Sequence, residues 1–402
     1  MQETPYRRNP LLDGDEALKK WREGPESWNN WIRENPAHDI HFDAVDFSSE
    51  REAEEAISFA GYDFGSGNVS FIGAKFGDGD VSFRETRFGE GNLHFMEATF
   101  GRGNIDFSHT SFGEGQIYFV DTNFGEGDLS FSESEFGNGD VFFCRANFGV
   151  GNLDFSNSTF GLGDVDFREA TFGCFFVKFS DANFGEGCVY FTHTTFSNGV
   201  VSFSHCKFGK DKVFFSGANF RESLVSFQGA EFGESSAYFS GTKIKDLNFS
   251  STNASSGEIR FDGAYFGEGN VSFNEAKLSK LFFTPSQLGT VSLSAQGLVI
   301  STAAVFELPS SIDQLEDFHF LGASFKGPLI LSGSFQIVPD FLATNSSHQV
   351  ELSGLKVKLR RIPASPTWHQ RMFIKAKDPQ DAARLRRLKE IAESNKDHQA
   401  AL

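Results

Sequence analysis

Residues 81–107 read Val-Ser-Phe-Arg-Glu-Thr-Arg-Phe-Gly-Glu-Gly-Asn-Leu-His-Phe-Met-Glu-Ala-Thr-Phe-Gly-Arg-Gly-Asn-Ile-Asp-Phe. Phe83, Phe95 and Phe107 are twelve residues apart, and so are Phe88 and Phe100. Followed outward, these become two interleaved columns, Phe64 to Phe232 and Phe71 to Phe239, each with 15 members and no substitution. Self-similarity at a fixed period is the mark of a solenoid. Two residues before one column stand aliphatic residues such as Val81, Leu93 and Ile105; before the other stand small ones such as Thr86, Ala98 and Thr110. Positions two apart share a strand face. Each such pair therefore points inward, and Ser82, His94, Asp106 and Tyr118 point out. The step of seven carries Gly-x-Gly-Asn/Asp, where glycine permits the positive φ of a tight corner. The step of five turns on polar residues such as Arg84-Glu85.

A 12-residue coil would crowd two Phe and two aliphatic residues between two strands. A 24-residue coil has four short faces and four inward Phe, so Phe83 should stack on Phe107 with Phe95 across the core. Successive coils should lie about 4.8 Å apart, as neighbouring strands do. After Phe239 the rhythm decays: Ile244 replaces Phe, and from Leu281 the inward residues are mainly Leu and Val. No proline lies between Pro36 and Pro285, as continuous strand pairing requires.

The Ala-x-Phe and Val-x-Phe pairs with two polar corner residues resemble the pentapeptide-repeat family, in a Phe-rich variant with two extra residues at every second corner. The resemblance covers roughly residues 60–283. It implies an all-β solenoid, a right-handed quadrilateral parallel β-helix. Glu26–Pro36, with Trp28 and Trp31, looks like the helix that precedes the repeats in such proteins, and Ala383–Glu390 resembles the basic helix that follows them. The expected organisation is an N-terminal helical cap over 1–57, the Phe-rich β-helix over 58–283, degenerate coils over 284–362 ended by Pro363 and Pro366, and a basic helical segment over 363–402. Open solenoid ends expose strand edges and core, so caps are expected at both.

The net charge of −18 is unevenly spread. Residues 51–200 carry 23 acidic and 8 basic side chains, whereas residues 351–402 carry 6 and 12. An acidic barrel repels nucleic acid, so no direct nucleic-acid binding is expected. The four cysteines have neither disulfide-like nor metal-like spacing, which suits a reducing, cytoplasmic setting. No apolar run is long enough to span a membrane, and the polar N-terminus does not read as a signal peptide.

Chemistry is hard to find. Glu85, Glu97, Asp121 and Glu133 recur at a polar corner, but acid–base catalysis needs a positioned pair in a cleft. His193 and His205 would fall on opposite sides of a 24-residue coil, too far apart to share a metal. Gly-x-Gly recurs as a corner and carries no nucleotide signal. The outward column mixes Ser, His, Asp, Tyr, Phe and Lys, which does not suit an ice-binding array, and the wall reads as repetitive and polar. The sequence thus points to a non-enzymatic chain without cofactor or metal. Two functions follow. One is a structural or protein-interaction module whose partner information sits at its ends. Its best docking candidates are Arg384, Leu385, Arg387 and Leu388 on the basic helix over 381–393. The plainer reading of that helix, favoured over docking, is packing on the last coil or a fragment of a helical hairpin; peripheral contact with a membrane surface is the other functional reading. The other function, implied by the resemblance, is mimicry of DNA towards an enzyme such as a type II topoisomerase, with Glu85, Glu97, Asp121 and Glu133 as the mimicking charges.

Overall fold

The computed structural model describes residues 9–51, 56–309, 315–357 and 380–400. They form a parallel β-solenoid of about 14 turns, roughly 24 residues apart, with three helices including one at the C-terminus. The chain divides into two compact units, Met1–Phe214 and Phe215–Leu402.

In the first unit a short strand, Leu11–Asp13, leads into α1 (Gly14–Trp21) and α2 (Pro25–Glu34). Both helices carry acidic residues in the first turn and basic ones in the last, in accord with the helix dipole, and α2 begins on proline. Trp28 is wholly buried, packs against Phe42 and Phe64, and donates Nε1–H to the Asp63 carbonyl at 2.7 Å. Trp21 packs on Phe47 and Phe59 and donates to the Ser58 carbonyl at 3.0 Å. The pair covers the first aromatic layer and satisfies two carbonyls there. Parallel pairing begins earlier than residue 58, because Asp39–His41 joins Leu11–Asp13 to Val69–Ser70. No Phe period precedes this region, so neither that turn nor α1 was legible.

The register settles the coil length. Leu93 pairs with Ile117 and Ile117 with Val141, while Ile105 pairs with Leu129, all in steps of 24. Phe83 stacks on Phe107 at 4.6 Å and 4° between planes, and meets Phe95 edge-on at 5.4 Å and 87°. Each ring thus presents its face along its own column and its edge to the opposite one, the arrangement favoured by the aromatic quadrupole. Every member of the Phe71 column is fully buried, and in the Phe64 column exposure never exceeds the 5% of Phe196. Buried hydroxyls in the small-residue column are satisfied: Thr86, Thr110 and Thr122 donate to the carbonyls of Phe59, Phe83 and Phe95 at 2.7–2.8 Å.

The corners follow the expectation in part: the first glycine of Gly-x-Gly takes positive φ in some units, as at Gly113 (71°), Gly125 (74°) and Gly149 (64°), but it is not alone in doing so. Positive φ also occurs at the polar corner, at Glu85 (57°), Glu97 (58°), His109 (56°), Asp121 (56°) and Glu133 (57°). Gly91 in a Gly-x-Gly corner has no such φ; a Cβ there would lie 2.1 Å from the Gly67 carbonyl oxygen. Glycine at this position answers to the close approach of the coil below. The Asn/Asp after it is a second structural device. Its Oδ1 accepts the N–H of the residue 24 later, as in Asn68 to Asn92 (2.9 Å), Asp80 to Asn104 (2.8 Å) and Asp140 to Asp164 (2.9 Å).

In the second unit the coil shortens. Ala237 pairs with Ile259, a step of 22, and Leu329 with Val350, a step of 21. Where Gly-x-Gly is lost, longer strands such as Asn253–Arg260 and Lys277–Phe283 run through the corner with a register shift. Leu281, Leu293 and Leu331 fill the core. The ladder reaches Leu355–Val357. Pro363 and Pro366 lie outside the described residues, and α3 (Asp381–Ala400) follows.

Candidate functional site

Steps of 24 sort the outward residues of the first unit into two faces. On one, His94, Tyr118, Phe142, Asp166, Tyr190 and Phe214 occupy one register position. His94 stacks on Tyr118 at 4.9 Å, Tyr118 on Phe142 at 5.1 Å and Tyr190 on Phe214 at 5.2 Å. Asp166 is buried beneath a bidentate pair with Arg168, whose guanidinium lies 5.3 Å from the centre of the Tyr190 ring. Beside this row run Ile72, Met96, Val120 and Cys144, all half-exposed. Burial pushes the Cys144 thiol up to about 12, so it stays a neutral, apolar member of the row. Burial also holds His94 below the usual imidazole range.

On the opposite face, the equivalent position carries Ser58, Ser82, Asp106, Ser130, Asp154, Lys178 and Ser202. Its neighbouring row includes Ser108, Ser132, Ser156, Ser180 and Ser204. The wall is therefore not uniformly polar. Read at twelve-residue spacing, the aromatic and serine rows are shuffled together; read at 24, they separate. Ser82, His94, Asp106 and Tyr118 do point outward, but stacking against the next coil leaves each only half-exposed.

The same sorting divides the four corner carboxylates. Glu97 and Asp121 follow one another on the corner beside the aromatic face, where Asp121 is clamped by Arg145 at 2.6 and 2.7 Å. Glu85 and Glu133 lie on the other corner with His109 between them, 3.5 Å from Glu133, and Glu85 is 3.3 Å from Arg84. They do not form one patch. Several other wall carboxylates serve as backbone acceptors, as above, or in ion pairs such as Asp78–Arg102 at 2.8 Å.

The helix α3 turns most of its candidate residues inward. Arg384 lies 3.3 Å from the buried Asp340, Arg387 donates to the Thr344 carbonyl at 2.9 Å, and Leu388 is buried; only Leu385, at 41%, is largely exposed. The two arginines and Leu388 hold the helix on its own last turns. Packing on the last coil is one of the readings the sequence offers for this helix; its acceptors Asp340 and Thr344 are not legible, because they lie where the repeat has decayed.

Two irregularities remain on the first unit's wall. Phe175 and Phe176 replace the usual Gly-Asx and stand 57% and 40% exposed, edge to face at 4.8 Å. An open groove of about 540 Å³ is floored by Gly101, Gly125 and Gly149 and bordered by Asn123, Asn147 and Arg102. Among the described residues, no group of three or more His, Cys, Asp or Glu is placed to hold a metal, and no helix is long and apolar enough to cross a membrane.

No family model and no curated protein matches the chain. Among solved structures it is similar to a trypsin-treated form of QnrB1, a plasmid-mediated fluoroquinolone resistance protein. The two are 17% identical over 56% of this chain and 90% of that one, with a TM-score of 0.20.

Proposed function

We propose that this chain is a non-catalytic protein-interaction β-solenoid of the pentapeptide-repeat type. The observation that carries the reading is the separation of the first unit's wall into an aromatic–aliphatic face and a serine–aspartate face. Backbone ladders hold both at the strand spacing of about 4.8 Å. Folding requires the inward residues and the corners; it does not require outward aromatics, since serine fills the equivalent positions opposite. A surface chemically distinct from its structural twin is what a recognition face needs. Because Arg384, Arg387 and Leu388 are engaged on their own turns, this reading looks to the wall rather than to the C-terminal helix for the partner surface.

The test is site-specific photo-crosslinking in the native cell, with the probe at Met96, at Ser132 or at Leu385. A protein adduct at Met96 supports a wall-based module. Adducts confined to Leu385 return the function to the helix, and no protein adduct at any position sinks the reading. DNA mimicry is the competing reading, with a type II topoisomerase as its target. Its charges are split between two corners and Asp121 is neutralised, so the chain is expected to leave gyrase supercoiling unchanged. Inhibition or protection that disappears when Glu85, Glu97, Asp121 and Glu133 are all made Gln or Asn would put mimicry in its place.

A further inference from the structure

We propose that the aromatic face of the first unit binds a cationic amphipathic segment of a partner protein. The inference rests on the interaction-module reading and names its ligand chemistry. Two features of the face select that occupant.

The first is shape and apolarity. The row from His94 to Phe214 makes five inter-coil steps, ~24 Å at the strand spacing, which matches about 16 residues of helix at 1.5 Å per residue. Met96, Val120 and Cys144 widen it into a strip for one helix face. The Asp166–Arg168 pair crosses the strip without breaking it, because Arg168 lies over the Tyr190 ring. The second feature is the rim. Glu90, Glu114 and Asp140 run along one edge, and Glu97 with Asp121 along the other. Of these five carboxylates, Asp121 is paired with Arg145. Glu114 and Asp140 accept hydrogen bonds from neutral groups, Asn138 in one case and Gln116 with the Asp164 amide in the other, and so keep their charge uncompensated by them. An apolar strip between two acidic edges complements a helix with an apolar stripe flanked by Lys and Arg. It disfavours a second copy of the same face, since two acidic rims would meet.

The probe is a synthetic 16-residue Leu/Lys peptide with a single apolar face, titrated against the full chain by fluorescence anisotropy at physiological salt. An all-polar peptide of equal positive charge serves as control. Tyr118→Ser with Phe142→Ser installs on this face what Ser82 and Ser130 already supply opposite, so the fold is kept, as an unchanged thermal melt will report. The double variant is expected to weaken binding at least tenfold. Glu90→Gln with Glu114→Gln should weaken it several-fold, and Glu85→Gln with Glu133→Gln, the same charge change on the other side, should not. Unchanged affinity in the aromatic variant, or equal binding of the all-polar peptide, overturns the assignment. So does a concentration-dependent dimer in sedimentation that the aromatic variant dissolves, which would make the occupant a second copy. The module reading survives such a failure if wall crosslinking still captures a protein, so the two proposals fall separately.

Discussion

At the scale of the residue, the wall depends on three kinds of position. The first is the inward Phe. Phe155 is fully buried and stacked on Phe131 at 4.6 Å and Phe179 at 5.1 Å. Phe155→Ala should cost about 3–5 kcal/mol, as other buried Phe truncations do. Each turn depends mainly on its neighbours, so hydrogen exchange will show the loss as local opening around residues 131–179. The second kind is the polar corner. Glu97 sits at φ 58°, a conformation costing ordinary residues about 1–2 kcal/mol, while Gly73 and Gly217 occupy the equivalent corner without strain. Glu97→Gly is therefore expected to be neutral or stabilising by up to about 1 kcal/mol once the flexibility of unfolded glycine is subtracted. A clear drop in melting temperature would contradict that. The third kind is the Asx acceptor. Asp140→Ala removes the partner of the Asp164 amide, whose exchange should accelerate at least about tenfold, since a bond to a charged acceptor contributes about 1.5–3 kcal/mol.

At the scale of the element, α3 is held by the Arg384–Asp340 pair, both side chains at most 13% exposed. Arg384→Ala leaves a buried carboxylate short of its counter-charge and should cost about 3 kcal/mol of docking. Limited proteolysis will read this as early cleavage within 381–400 while the first unit stays resistant. Resistance equal to the parent's would show that other contacts hold the helix. The elements also show what the sequence could reveal. The 24-residue coil was legible because Phe is too bulky for a smaller one, and the Trp28 cap because its spacing was helical. Packing of α3 on the last turns was one reading of its apolar stripe, but the residues that receive it were not legible, because they come from coils without a period. Nor was α1, a short charged helix beside no repeat. The aromatic face was present in the letters throughout, but only the ladder register shows which outward residues are neighbours.

At the scale of the whole molecule, charge governs the response to pH. Arg145 holds the Asp121 carboxyl below its usual range, and Arg102 does the same for Asp78. A depressed carboxylate contributes stability that is complete above the unfolded value, near pH 4, and is lost as pH falls through the folded one. His94 acts in the same direction by another route. Burial lowers its affinity for a proton, with Asp43 opposing and His41 adding to the effect. The unfolded chain takes up that proton near pH 6.5 and the folded chain only lower down, so stability declines once pH drops below about 6.5. Thermal melts between pH 8 and 3 should therefore fall in two stages, a shallow one below about 6.5 and a steep one below about 4. His94→Gln should remove the first and leave the second. A first stage that persists in the variant would assign it to another group.

Because the letters repeat every twelve residues and the backbone every 24, the wall has a parity. Excising residues 106–117 joins Ile105 to Tyr118-Phe119 and leaves the inward pattern intact, yet everything downstream within the first unit turns by half a revolution. Ser130 then stands over His94, and the aromatic row is cut and continues on the far side. Excising residues 106–129 restores the phase. An odd number of lost or gained units thus preserves a chain that folds while scrambling whatever its surface spells. An even number only shortens the message.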